Sequence, residues 1–235
     1  MISFGIGDTK MDMQLLEKTG PNFSHDALMM ARKNTKDAIA LIARNIAPGM
    51  LEEDARMMAK ETLERLGSTK GWHKILVRFG PNTVKNFEDP SERGVKLQTD
   101  DLFFIDIGPV WGDTEGDGGE TFVVGAGDPD MKRCAEDTKR IFHIVRKQWA
   151  STGMTGKELY DFAFRTAADM GWILNMELTG HRLSEFPHSA YYDGTLAAVS
   201  IRPSANLWVL EVQVKHPTKI IGGFYEDLLL DDAEY

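Results

Sequence analysis

DLFFIDIGPVWGDTEGDGGETFVVG, residues 101–125, decides how this chain is read. An apolar, aromatic and branched run carries Asp106 near its end. A Gly-rich acidic turn follows, Asp117 closes it, and a second run, Thr121 to Val124, opens another strand. Two strands joined by an acidic turn place two carboxylates close to buried backbone. A lone buried carboxylate is costly unless it is paired or metal-bound. Taken singly, Asp106 also fits a strand-end aspartate bonded to a turn, and Asp117 an acidic surface loop. The segment lacks the twelve-residue helix–loop–helix pattern of a calcium hand.

Before this stretch the chain predicts two helices. Ser24 or Asp26 caps the first, and Leu28, Ala31, Thr35, Ala38, Ile42 and Ile46 recur at helical spacing until Pro48-Gly49. The second runs over 51–66 with Ala55, Met58, Thr62 and Leu66 inward, and Gly67 ends it. Met29-Met30 and Met57-Met58 read as core filling. Residues 72–79 read as a strand, Gly80-Pro81-Asn82 as a turn, and 86–100 as loop. After 125 the order restarts. Asp128-Pro129 begins a helix with Met131, Ala135, Thr138, Phe142, Val145 and Trp149 on one face. Thr155 and Glu158 form a capping box for a helix ending at Gly171. Strands close the chain over 207–214 and 219–230. Helix, helix, strands, repeated, predicts an α+β fold with helices on one face of a mostly antiparallel sheet. Residues 1–23 read as an N-terminal arm and 24–235 as one domain.

Composition narrows function. The 235 residues are 42% hydrophobic, enough for a sizeable core, and carry a formal charge of −9. That charge argues against nucleic-acid and anionic-membrane partners. The single cysteine, Cys134, excludes an internal disulfide framework. With no long apolar run and no basic signal-like start, a cytoplasmic protein is expected.

The later half supplies more donors. His181 follows Gly180, and His188 lies seven residues on. Glu211 sits inside the apolar run 207–214, and Glu226 inside 220–230. Each is unusual for a strand with apolar flanks on both sides. Asp106, Asp117, His181, Glu211 and Glu226 together make the hard-to-borderline set that neighbouring divalent cations take. Paired cations activate water.

This constellation resembles the pita-bread metallopeptidases, which include methionine aminopeptidase, aminopeptidase P and prolidase. The resemblance runs from about residue 25 to the end. It rests on Asp106 and Asp117, Gly180-His181 with His188, Glu211, Gly222-GFYED-Asp227, the GPN of 80–82 and the TFVVG of 121–125. It implies a pita-bread fold of two pseudo-twofold αα-β halves. It implies two divalent ions (manganese, cobalt, zinc or iron), with Asp106 chelating one, Asp117 and Glu226 bridging, and His181 and Glu211 completing the other. Glu211 would be general base and acid, and His188 would contact the substrate carbonyl or the tetrahedral intermediate. The implied reaction is hydrolysis of an N-terminal peptide bond, of aminopeptidase or Xaa-Pro dipeptidase type. A small peptide or amide is the implied substrate, and a homodimer is the implied assembly. The chain departs from the family at Phe87, where relatives carry a histidine, and at Arg182, where they carry glycine. His73 is the nearest imidazole in sequence to the missing one. Phe87, His73 and Arg182 are therefore the candidate substrate contacts. The same departures keep open a non-peptide C–N hydrolase on this fold, or an inactive binding homologue.

Overall fold

A computed structural model describes residues 15–68, 70–126 and 128–231. Helix α1 (His25–Asn45) starts where Ser24 Oγ accepts from the Ala27 amide, and buries Leu28, Ala31, Thr35, Ala38, Ile39 and Ile42. Helix α2 (Glu52–Arg65) buries Ala55, Ala59, Thr62 and Leu63. Its first residue, Glu52, is buried and accepts from the Phe79 amide and Asn82 Nδ2 at 2.7 and 2.8 Å. The asparagine of the GPN turn thus ties the turn to a helix start, where the dipole favours a carboxylate.

Strand β1 (Leu76–Phe79) precedes that turn, and β2 (Asp101–Ile107) follows the loop. A short β3 (Val110–Trp111) and β4 (Thr114–Glu115) form the acidic turn, and β5 (Gly118–Val124) returns. Helix α3 (Pro129–Thr152) is capped by Asp128 and ends at Gly153 in the left-handed region, φ 73°. Helix α4 (Gly156–Asp169) has the reciprocal Thr155–Glu158 capping box. Then come β6 (Ile173–Leu174), β7 (His181–Arg182), β8 (Trp208–Lys215) and β9 (Gly222–Leu228). The sheet order is β1-β2-β5-β9-β8-β6, with β7 also paired to β8, and its strand pairs are antiparallel. The second half of the order mirrors the first.

Strand alternation decides which face holds what. Phe103, Ile105 and Ile107 join Ala38, Ile42, Ala55 and Ala59 of α1 and α2 in one core cluster. Leu210, Val212, Val214 and Tyr225 join Phe142, Val145, Leu159 and Ala163 of α3 and α4 in another. Each fully buried Val, Leu, Ile or Phe side chain among these contributes about 1.5–3 kcal/mol. Trp149 is fully buried and its Nε1 donates to the Pro203 carbonyl at 3.0 Å, so truncation there would cost about 3–5 kcal/mol. The residues between these, Asp106, Glu211 and Glu226, project from the opposite face.

Three expectations change. Residues 72–75 are not strand: β1 begins only at Leu76. Met30 and Met57 are 57% and 60% exposed, because each lies two residues, about 200° of helix, from a buried neighbour at Leu28 or Ala55. Leu66 is exposed at the end of α2. Of the expected arm, residues 1–14 lie outside the described residues. The rest is tied down: Glu17 accepts from the Ser204 amide, Ser204 Oγ and Trp208 Nε1 at 2.6–2.7 Å.

Candidate metal centre

One register row crosses the sheet and builds the site. Asp106 on β2 faces Gly119 on β5, Gly119 faces Glu226 on β9, and Glu226 faces Glu211 on β8. Paired residues share a face, so three carboxylates line up with a glycine among them. A Cβ at Gly119 would lie 2.3 Å from the Phe224 ring. Asp117, just before β5, and His181, on β7, complete the set the sequence suggested.

Asp117 is central. Its Oδ2 lies 3.0 Å from His181 Nε2 and its Oδ1 3.3 Å from His73 Nε2. It belongs to two groups of donor atoms close enough to hold an ion: His73, Asp106 and Asp117, and Asp117, His181 and Glu226. Glu211 Oε1 lies 3.7 Å from His181 Nε2, and its Oε2 accepts from the Gly180 amide at 2.8 Å. Gly180 has φ 68°, and a Cβ there would meet the Val209 carbonyl at 2.3 Å. That position needs glycine to deliver its N–H.

Electrostatics oppose four anions here without cations. Burial, helped by Asp117 and Glu211, pushes the Asp106 carboxyl up to about 7 against the pull of His73. Burial and neighbouring carboxylates raise Glu226 well above the usual range, and burial raises Glu211. Burial would raise Asp117 too, but the His181 and His73 imidazoles hold it at about 2. Burial would lower both imidazoles, yet the carboxylates raise His73 to about 8 and His181 to about 9. Among the described residues no lysine or arginine lies within ion-pair distance of Asp106, Asp117, Glu211 or Glu226. Asp117 Oδ2, His181 Nε2 and Glu226 Oε1 are buried without a hydrogen-bond partner. Adjacent Asp227 makes the contrast. It points to the helix face, where Arg32 grips it with two 2.6 Å bonds. Orphaned buried donor atoms on hard and borderline ligands fit divalent cations.

The remaining suggested residues divide. His188 is buried beside the centre, its ring stacked 5.6 Å from His181. Phe87 stands edge-on to His73 at 5.7 Å. Arg182 is a correction: its side chain is buried on the far face of β7, donating to the Leu16 and Lys18 carbonyls. Alternation sends it away from the cavity His181 faces.

Two residues escaped the sequence reading. Glu115, fully buried, accepts from His188 Nδ1 at 2.8 Å and from the His188 amide at 3.0 Å. Trp72 contacts three imidazoles, its ring 4.3 Å from His73, 4.6 Å from His181 and 5.1 Å from His188, and its Nε1 donates to the Gly116 carbonyl. Glu115 was hidden among Asp113 and Asp117. Its signal is its place in β4, where alternation turns one of two adjacent residues inward.

The sequence model of metallopeptidase family M24 matches residues 26–221. The chain is 26% identical over 161 residues to methionine aminopeptidase 2 of Bacillus subtilis (strain 168), covering 64% of each chain. It is 25% identical over 167 residues to a methionine aminopeptidase of Helicobacter pylori, covering 69% of this chain and 65% of that one. The chain thus spans just under two thirds of these curated relatives. Among solved structures, a prolidase from Pyrococcus horikoshii OT3 superposes with TM-score 0.69 at 20% identity, covering 96% of this chain and 63% of that chain. A methionine aminopeptidase from Thermotoga maritima gives TM-score 0.67 at 15% identity, covering 91% and 98%. The shared fold is the pita-bread fold.

Proposed function

We propose, since this chain belongs to metallopeptidase family M24, that it is a dinuclear-metal hydrolase of N-terminal peptide bonds, of aminopeptidase or Xaa-Pro dipeptidase type. The observation that carries the reading is the convergence of Asp106, Asp117, His181, Glu211 and Glu226, with buried donor atoms left unpartnered and, among the described residues, no lysine or arginine within ion-pair distance of the four carboxylates. Asp117 and Glu226 would bridge, Asp106 would hold one ion, and His181 and Glu211 the other. Bound divalent cations supply a water acidified toward neutrality.

The chain's own residues do the rest. Glu211 takes and returns the proton, and the Gly180 amide fixes its Oε2 while Oε1 stays toward the centre. His188 presents Nε2, because Nδ1 is held by Glu115. When the ring carries both protons, Nε2 donates to the oxygen on which charge develops. Trp72 and Phe87 flank the imidazoles with apolar surface that excludes water.

The test is elemental analysis after supplementation with manganese, cobalt or zinc, followed by digestion of a peptide library. About two ions per chain and release of N-terminal residues, lost in Glu211→Gln, are expected. Metal-loaded protein that releases nothing from peptides but cleaves small amides would instead favour a non-peptide C–N hydrolase.

A further inference from the structure

We propose that His73 is a sixth protein ligand, giving the ion at Asp106 and Asp117 an imidazole of its own beside the His181 imidazole of the second ion. The inference rests on the dinuclear reading above and adds a donor that reading does not contain.

The geometry of the two histidines is parallel. In each, Nδ1 lies 2.7 Å from the carbonyl of the next residue, Lys74 for His73 and Arg182 for His181. A carbonyl only accepts, so Nδ1 carries the hydrogen and Nε2 keeps its lone pair in the neutral ring. That is the tautomer a metal takes, with the other ring nitrogen fixed by a backbone acceptor. Each Nε2 then faces its own oxygen of Asp117: Oδ1 at 3.3 Å for His73, Oδ2 at 3.0 Å for His181. His73 Nε2 is also 3.5 Å from Asp106 Oδ1. A lone pair aimed at two carboxylate oxygens is repulsive until a cation or a proton lies between. The His73 side chain is 10% exposed, so water offers little relief.

The backbone is built to deliver the ring. The Trp72 amide donates to the Gly108 carbonyl at 2.9 Å and the Val110 amide to the Lys70 carbonyl at 3.0 Å, laying the segment before β1 along the end of β2. Gly108 leaves the room: a Cβ there would lie 2.1 and 2.4 Å from His73 Cδ2 and Nε2. Trp72 packs edge-on against the ring at 4.3 Å, and Phe87 does so at 5.7 Å. Nitrogen donors at both ions shift preference along the first-row series, away from manganese and toward iron, cobalt and zinc.

The experiment titrates apo protein with Co(II) by calorimetry and counts imidazole nitrogens by pulsed electron paramagnetic resonance on Cu(II)-loaded protein. The proteins are wild type, His73→Gln, Gly108→Ala and His181→Gln. Wild type should bind two ions and show nitrogen coupling at both. His73→Gln should weaken one site by about 100-fold or more, since even an outer partner costs about 10–100-fold, and lose one coupled imidazole. Gly108→Ala, which displaces the ring without removing it, should weaken the same site. His181→Gln should weaken the other. The spared site in each variant reports that the fold is intact. Two ions bound in His73→Gln with unchanged affinities and nitrogen count would overturn this inference and leave the dinuclear reading standing. No ion bound by wild type would overturn both.

Discussion

Glu226 and Asp227 are adjacent acids on opposite faces of β9, and of their two amide exchanges only that of Asp227 should destabilise the metal-free protein. Asp227 has no exposed side-chain area and is held by Arg32 at 2.6 Å and Lys36 at 2.5 Å. Removing one charge of a buried pair costs about 3–5 kcal/mol, because the partners remain desolvated. Lys36 is 39% exposed and can turn to water, which places Asp227→Asn near the lower end, about 3 kcal/mol. At this chain length about 2–4 °C of melting temperature goes with each kcal/mol, so a fall of about 6–12 °C is expected. Glu226 is the reverse. Burial and Asp117, Asp106 and Glu211 raise its carboxyl well above the usual range. Its ionised form therefore opposes folding at neutral pH, and Glu226→Gln should leave the melting temperature in chelator unchanged or higher. Adding a divalent ion separates the two further. At 100 times Kd a ligand adds about 2.7 kcal/mol to the native state. Wild type and Asp227→Asn should gain it, and Glu226→Gln should gain little. The assay is thermal unfolding at pH 8 with chelator and with Mn(II). A drop of similar size for both variants in chelator would refute the assignment of the two faces.

Other outcomes follow from the same geometry. Glu115→Gln leaves at least one of the His188 N–H groups facing an amide N–H, so it should cost about 1–3 kcal/mol and lower kcat, with Co(II) stoichiometry by calorimetry unchanged. Gly180→Ala forces a side chain to φ 68° and against the Val209 carbonyl; about 2 kcal/mol or more of stability should go in urea denaturation, together with peptide turnover through displaced Glu211. Metal-free protein should lose stability as pH rises toward 9. His73, His181 and Asp106 are raised in the folded state, to about 8, 9 and 7, so the fold holds their protons longest and its advantage goes as they leave. Metal-loaded protein should be flatter over that range, and melting temperatures at pH 6.5 and 9 with and without chelator decide it.

How far the sequence reached depends on what kind of segment carries each residue. Asp106, Glu211 and Glu226 were legible because each is an acid embedded in an apolar strand, where burial without a partner is expensive. Their register was not legible. Only pairing reveals that Asp106, Gly119, Glu226 and Glu211 form one row. Helices α1 and α3 were readable from their stripes and caps, whereas Met30 and Met57 were misassigned because a pair of adjacent methionines straddles two faces of a helix. Arg182 fails for a related reason: proximity to His181 in sequence is opposition in a strand, and its guanidinium was drawn into the pocket by composition rather than by direction. His73 and Trp72 come from a bend, where no periodicity exists, and Glu115 from the two-residue strand β4, too short to show its alternation in the sequence. What places them is long-range backbone pairing, Trp72 to Gly108 and Glu115 to Ser184. The candidate ligands on regular strands were thus open to inference from local pattern, while the groups that orient and supplement them depend on which irregular segments the fold brings to the same end of the sheet. Substrate choice should lie with the second kind, since the donors on the strands fix only where charge collects. Exchanging segment 70–74 should therefore alter which substrates are cleaved more than whether an ion binds at His181.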